Sequence, residues 1–518
     1  MNPLFLTILK AILSLRGKAS VLGLAIACLC QMQPLRAVTL KDFGYQNWNI
    51  NGKLALGSRP ILVIFVNFAG HTPLPESLSF YSNLVFNASQ TPSMKGYYQA
   101  SSDGAFSISG GAIMLTLPAS ELFEVYSNAY PAFIRDEVYC SNIIAQAMSS
   151  GKFDFESYDA NHDGHITPDE LSILIMTSDP GETGFGGSRP VPPNGIGTVS
   201  VPGLTYDWGY GPNDNFPNVA LMGSSVPLIV WCEELEETWG ANDIYGHNCN
   251  SMSLSPQSCF ENNFNGTNVG AYYYLDPWNR LELGWCQPRI YSLTAGGIAT
   301  ISAAQAGDPT SPIILYDPAR GTSEYFILEY RTWTNSVIGS GYDLYAGNDL
   351  RGDPVTYGLV IWHVQLDANY NLTSTTAPTN KYDYKSTTNT VTCWAENSPD
   401  LTPSDVPVLW GSNSTTPNLT WIDGTQTLTT IHVHPFNPGD NSITVEWLSA
   451  EDTWVDFNFT GSNPSGTFNN PYKTMAAGIA AASYGGTLHL KTGASSETPT
   501  ITKRINIVGY NGPATIGN

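Results

Sequence analysis

From Ile290 to Leu448 the chain runs in short apolar stretches cut by Gly, Asp, Asn and Pro, among them EYFILEYR (324–331), YGLVIWHV (357–364) and SITVEWL (442–448). Stretches this short, rich in β-branched and aromatic residues and bounded by turn formers, predict sheet strands and exclude a bundle of long helices. Charged residues are only 13% of the chain, against 48 Gly and 35 Pro, which agrees with many turns and few solvated helices. Asn371–Asn418, dense in Thr, Ser and Asn, predicts long surface loops within this β-rich part.

Upstream the pattern differs. GSRPILVIFVNFAG (57–70) predicts a buried strand and a turn, PSMKGYYQASSDGAFSISG (92–110) a helix running into a strand, and Ala132–Ser149 has the apolar spacing of a helix. VPLIVW (226–231) predicts a strand or the start of a buried helix. The expected architecture is α+β: an α/β domain over 55–290 and a β-rich part over 291–449. A chain of 518 residues also exceeds what one core usually organises.

After Ser449 a third style begins with GTFNNPYKTMAAGIAAASYGGTLHLKTG (466–493) and ITKRINIVGYNGPATIG (501–517). A short helix leading into strands spaced by turns resembles the start of a right-handed parallel β-helix of the pectate-lyase type, over 450–518. A solenoid needs about three repeats to bury its core, so the expectation is an incomplete β-helix in a truncated sequence.

Lys10, Arg16 and Lys18 precede the apolar run Val21–Cys30, and residues 1–37 therefore resemble a secretory signal cleaved after Ala37. The run is too short to span a bilayer, and no later segment is apolar for long enough, so a secreted, cell-surface or periplasmic product without a transmembrane segment is expected. The net charge of −22 opposes nucleic acid and anionic membranes as partners and suits calcium or a solubilising surface. Beyond the signal lie Cys140, Cys232, Cys249, Cys259, Cys286 and Cys393. Export permits disulfides, with Cys249 and Cys259 the nearest pair, while Cys232 within an apolar stretch suits a buried thiol.

CEELEETWGANDIYG (232–246) read alone is an acidic helix, whose ordinary place is a solvated face. Its surroundings suggest more. GSRPILVIFVNF, PSMKGYYQASSDGAFSISG, FDFESYDANHDGHI, LELGW (281–285), EYFILEYR and GLVIWHV come in the same order as similar segments of the immune inhibitor A metallopeptidases, and Ser251-Met252-Ser253 looks like their Met-containing turn. The resemblance spans about residues 55–449 and implies a zincin-like fold in an exported bacterial protein. Zincins hold zinc with two His at i and i+4 of a helix and activate its water with the intervening Glu. Laid on the family's H-E-L-G-H-x-L-G-L-P-D-L-Y, EELEETWGANDIY (233–245) keeps the Glu, Leu, Gly, Asp and Tyr but neither His. The resemblance thus implies Glu233 and Glu237 at the zinc-ligand positions, Asp243 at a third, and Glu234 at the general base.

Imidazole suits zinc, whereas carboxylates prefer harder cations such as calcium, magnesium or manganese. Glu233 and Glu237, four apart, repel by about 0.2–0.5 kcal/mol on an exposed helix and by more when buried. His247 lies nearby in sequence, and His363 sits in a strand pattern that suits a core histidine.

A separate motif stands on its own spacing. DANHDGHITPDE (159–170) fits the calcium loop D-x-[DN]-x-[DN]-G-x5-E, with Asp159, Asn161 and Asp163 at its first three ligand positions, the His165 carbonyl and Thr167 next, and Glu170 closing it. LSILIM follows as a strand, which predicts a structural loop and not a switching helix pair. The resulting expectation is a secreted pseudopeptidase with a Glu-substituted zinc site, a calcium loop and a protein or peptide ligand. Two other readings are an active metalloendopeptidase with an altered metal site, and a surface adhesion or polysaccharide-binding protein acting through the C-terminal β-helix.

Overall fold

The computed structural model describes residues 38–43, 54–89, 93–130, 132–180, 198–207, 219–241, 274–332, 347–348, 354–365, 390–393 and 409–517, apart from isolated positions within these spans. The first 37 residues, Asp243, His247, Cys249, Cys259 and the Met252 turn lie outside the described residues.

Four parallel strands form the first sheet, in the order β2 (Phe106–Leu117), β1 (Gly57–Phe68), β4 (Ser172–Thr177), β7 (Val219–Gly223). β1 is central and apolar on both faces. Leu62, Ile64 and Val66 join one core cluster, and Ile61, Val63 and Phe65 the other. A parallel sheet covered on both sides produces such an unbroken apolar run. Pro60 precedes the stretch Ile61–Val66 that pairs on both sides, where its missing N–H does least harm. Opposite Ile61, Gly110 has φ +120°, and a Cβ there would lie 2.0 Å from the Ile61 carbonyl oxygen, so the close approach of β1 and β2 requires glycine.

Helices fill the two layers. α1 (Leu78–Phe86) and α2 (Met94–Ser101) lie on one face, where Ser77 and Ser93 cap them through the amides of Phe80 and Gly96. After α3 (Phe123–Ala129), the long α4 (Ala132–Ser149) covers the other face with Tyr139, Cys140, Ile143, Ile144 and Ala147, a helical stripe. Returning to the first face, α5 (Leu228–Glu237) resolves the ambiguity of VPLIVW as a helix. A small sheet of β3 (His165–Ile166), β5 (Thr198–Val201) and β6 (Leu204–Asp207) borders the second layer. Among the described residues no helix is long and apolar enough to cross a membrane.

α6 (Pro277–Glu282) leads into the β-rich part. β8 (Arg289–Ser292), β10 (Ile313–Tyr316), β11 (Glu324–Thr332), β14 (Tyr357–Gln365) and β15 (Thr390–Cys393) form one sheet, and β9 (Gly297–Ser302), β16 (Thr429–Val433) and β17 (Ser442–Ser449) another. The hairpin β12 (Gly347–Asn348) and β13 (Pro354–Val355) stands apart. Phe326, Leu328 and Tyr330 of β11 meet Ile431, Val445 and Trp447 in one core between the sheets. The stretch 371–418 is not loop throughout: β15 extends the sheet edge, and Trp410, fully buried, exchanges backbone hydrogen bonds with Leu359 at 2.9 Å. A large apolar side chain placed beside an open strand edge overrides the polar composition around it.

The last unit is a parallel sheet of β18 (Asp452–Val455), β19 (Thr487–Ser495) and β20 (Asn506–Ile516), with α7 (Met475–Ala481) packed on Val455, Leu488 and Leu490. A strand therefore precedes the short helix. Arg504 donates to the buried Glu446 of β17 and ties this unit to the β-rich part.

Candidate functional site

α5 is apolar for most of its circumference before the acids begin, and a turn at 238–240 ends it. Trp231 packs beside Phe65 and Tyr81, with ring centroids 6.2 and 6.3 Å away, and donates from Nε1 to the Val226 carbonyl at 2.9 Å. The Tyr98 hydroxyl of α2 donates to the Cys232 carbonyl at 2.9 Å, pinning α5 to its neighbour. Termination is equally defined. Gly240 has φ +109°, Ala241 donates its N–H to the Glu236 carbonyl and Gly240 to the Glu237 carbonyl, both at 3.1 Å, which closes a Schellman cap. Trp239 locks the end, donating to Ser172 Oγ at 3.0 Å with its ring against Phe106 and Tyr98.

The acids of this helix are not a solvated face. Glu233, Glu234 and Glu236 are 2, 3 and 0% exposed, and Glu237 is half-buried. Each stands four residues after a buried member of the same helix: Glu233 after Ile229, Glu234 after Val230, Glu236 after Cys232. Residues four apart share a face, so the acids continue faces that are already in the core. Glu233 and Glu237 lie on one side, as the resemblance implies. Glu236, the most buried of the set, holds a position that is Gly in the resembled motif and carries no role there. Only the four-residue spacing from Cys232 signals its burial.

Burial pushes the Tyr97 and Tyr98 hydroxyls and the Cys232 thiol well above their usual ranges, and the negative charge of Glu236 adds to this at all three. Cys232 is therefore a thiol at neutral pH and not a nucleophile, a packing role it shares with the buried Cys286. His363 is a core residue, stacked on Phe326 with its Nε2 3.0 Å from Glu324 Oε1.

The donor set at positions 233, 234 and 237 is oxygen only, which does not fit a zincin's zinc. Among the described residues no group of three or more His, Cys, Asp or Glu is arranged to hold a metal ion.

The loop 159–170 is organised by its own backbone. Asp159 accepts from the amides of Asp163 and Gly164 at 3.1 and 2.9 Å, Asn161 Oδ1 from Asp163 at 3.0 Å, and Asp163 Oδ1 from His165 at 2.8 Å. Positive φ at His162 and Gly164 turns the chain tightly between them. Glu170 closes the loop, accepting from Ala160 N at 3.2 Å and from Thr167 N and Oγ1 at 2.9 Å each. Ile166 within the loop and Leu171 just after it are anchored in the core, and β4 follows as a strand. Asp159, Asn161, Asp163 and Glu170 offer hard oxygens of the kind calcium takes.

A third polar cluster had no signal in the motifs. Arg280 of α6 pairs with Asp103 at 2.5 Å and lies 3.7 Å from Glu329, which accepts from Arg331 Nε at 2.7 Å and from Trp362 Nε1 at 3.1 Å. The Arg331 Nη atoms donate to the Tyr274 carbonyl at 3.1 Å, and Tyr274 OH donates to Asp103. Burial raises the Asp103 and Glu329 carboxyls while the arginines oppose it. The cluster joins residues from α2's end, α6 and β11, and so fastens the α/β layer to the β-rich part.

These features define an α+β protein with a buried carboxylate helix and a separate Asx-rich loop. The chain matches no protein-family model and no curated protein.

Proposed function

We propose that this is an exported, immune inhibitor A-like pseudopeptidase: a peptidase scaffold on which α5 carries carboxylates in place of the zinc-binding imidazoles, braced by a structural calcium loop and taking a protein or peptide ligand. The observation that carries the reading is the burial of Glu233, Glu234 and Glu236 in the core that positions α5. A merely solubilising helix would turn these acids outward, since an ionised carboxylate is costly to bury. Glu234 would stand at the general-base position, with glutamates at 233 and 237 where the resembled motif carries imidazoles.

Calcium, when bound at 159–170, supplies charge neutralisation and cross-links the loop. Asp159, Asn161, Asp163, the His165 carbonyl, Thr167 and Glu170 would hold it. Glu170, at the end of the loop, already reaches back to the amide of Ala160 near its start.

Digestion of gelatin or casein by the purified full chain tests the reading. The expected result is no cleavage above background with or without added zinc. Chelator-sensitive cleavage that disappears in Glu234→Gln would establish the active metalloendopeptidase instead.

A further inference from the structure

The sheet of β16, β17 and β9 carries on its outer face a pair of histidines that neither α5 nor the calcium loop accounts for. Ile431 and Val433 of β16 point into the core between the sheets, and alternation along the strand turns His432 and His434 to the opposite face. His432 stands opposite Glu446 of β17, and the His434 amide donates to the Thr444 carbonyl at 2.9 Å, so the backbone fixes both positions. Their rings meet with centres 5.0 Å apart and planes inclined at 58°.

Each ring has one nitrogen engaged. Thr415 Oγ1 lies 2.8 Å from His432 Nδ1, beside the backbone bridge that joins these two residues. His434 Nε2 faces the Glu446 carboxylate at 3.5 Å, and that carboxylate, 2% exposed, is held in turn by Arg504 and by the Tyr484 hydroxyl. The other two nitrogens, Nε2 of His432 and Nδ1 of His434, enter no hydrogen bond among the described residues. Histidine ligands of metal ions have this arrangement: one ring nitrogen binds the ion, and the other meets an oxygen that fixes the ring.

The spacing of the rings agrees. An ion about 2.1 Å from a ring nitrogen lies about 3.2 Å from the ring centre, so imidazoles in adjacent coordination positions put their centres roughly 4.5–5.2 Å apart. The observed separation falls within that interval. Charge then selects the ion. Arg504 offsets Glu446, so the pair offers nitrogen and no spare carboxylate. Calcium and magnesium need oxygen ligands, whereas copper(II) is the first-row divalent ion that imidazole binds most strongly. We propose that His432 and His434 form a surface copper(II) site, chelating through Nε2 of His432 and Nδ1 of His434 with water completing the shell. Zinc shares the preference for imidazole, but two ligands hold it too loosely to survive desalting. The site has no residue in common with α5, so it stands or falls apart from the pseudopeptidase reading.

Titration of the calcium-loaded full chain with copper(II) sulfate at neutral pH, followed by calorimetry and electron paramagnetic resonance, tests this. Saturable binding in the micromolar range is expected, with a spectrum that shows two coordinated nitrogens. His432→Gln and His434→Gln should each weaken it by roughly tenfold or more, and both side chains are half-buried on an outer face, so the melting temperature should stay within a few degrees of the parent. Thr415→Val should weaken binding by a smaller factor while keeping the two-nitrogen signal, because it loosens one ring without removing a ligand. His71→Gln, at an exposed position outside this sheet, should leave the affinity as it is. The proposal is overturned if no saturable site appears, if the parent spectrum shows fewer than two nitrogens, or if either glutamine variant at 432 or 434 binds copper as tightly as the parent.

Discussion

The acids of α5 and those of the loop 159–170 are held by different means. In the loop, Asp159, Asn161, Asp163 and Glu170 accept from backbone amides within a few residues, so each side-chain oxygen is stabilised locally, with Asp159 buried and Asn161 and Asp163 exposed. In α5, Glu233, Glu234 and Glu236 are carried inward by the helix they belong to, and the charge of Glu236 acts on Tyr97, Tyr98 and Cys232. Spacing along the chain dictates the first arrangement. Tertiary packing dictates the second, and it converts an ordinary acidic helix into the least ordinary element of the fold.

That contrast yields graded expectations. The largest effect belongs to buried charge with defined partners: Arg280→Ala removes the cation between Asp103 and Glu329 and should cost about 3–5 kcal/mol in a urea unfolding series. A loss under 1 kcal/mol would show that these carboxyls tolerate burial by themselves. The loop should respond to its ligand instead. Calcium at about 100 times its Kd is expected to stabilise the parent by about 2.7 kcal/mol, a gain that Asp159→Ala abolishes along with two amide contacts. An equal calcium gain in parent and variant would remove the loop from the account.

The smallest effect is a matter of pH. Burial lifts the Glu137 carboxyl of α4 to about 7 from an ordinary 4.5, and its oxygens have no hydrogen-bond partner among the described residues. The folded state therefore binds the proton more tightly than the unfolded chain, so the stabilisation is complete below about pH 4.5 and is lost as pH rises through about 7. Glu137→Gln, neutral at every pH, should flatten that decline in melting temperature between pH 5 and 8. An unchanged slope would place the titration elsewhere.

Much of the fold is legible because its signals are local. The β-branched run 57–68, the helical stripe 132–149 and the strands 324–332, 357–365 and 442–449 all form as their patterns predict, since each element's periodicity matches the face it buries. The loop is legible for the same reason, its hydrogen bonds spanning no more than ten residues. Partners distant in sequence are not. Arg280 meets Asp103 across 177 positions, Tyr98 holds Cys232 across 134, and no motif announces either. Glu236 was hidden because the motif comparison weighs ligand positions, whereas its fate follows from which helix face the preceding turn had already committed to the core. Trp410, within a polar stretch, shows that one large apolar residue outweighs many Thr and Asn around it.

The central claim is that carboxylates stand where a zinc centre needs imidazoles. X-ray absorption at the zinc edge, on the full chain equilibrated with one equivalent of zinc and then desalted, addresses it directly. The account predicts less than stoichiometric zinc in a weak oxygen environment, lost on further dialysis. One tightly held zinc per chain with two or more histidine nitrogens in its shell would contradict it.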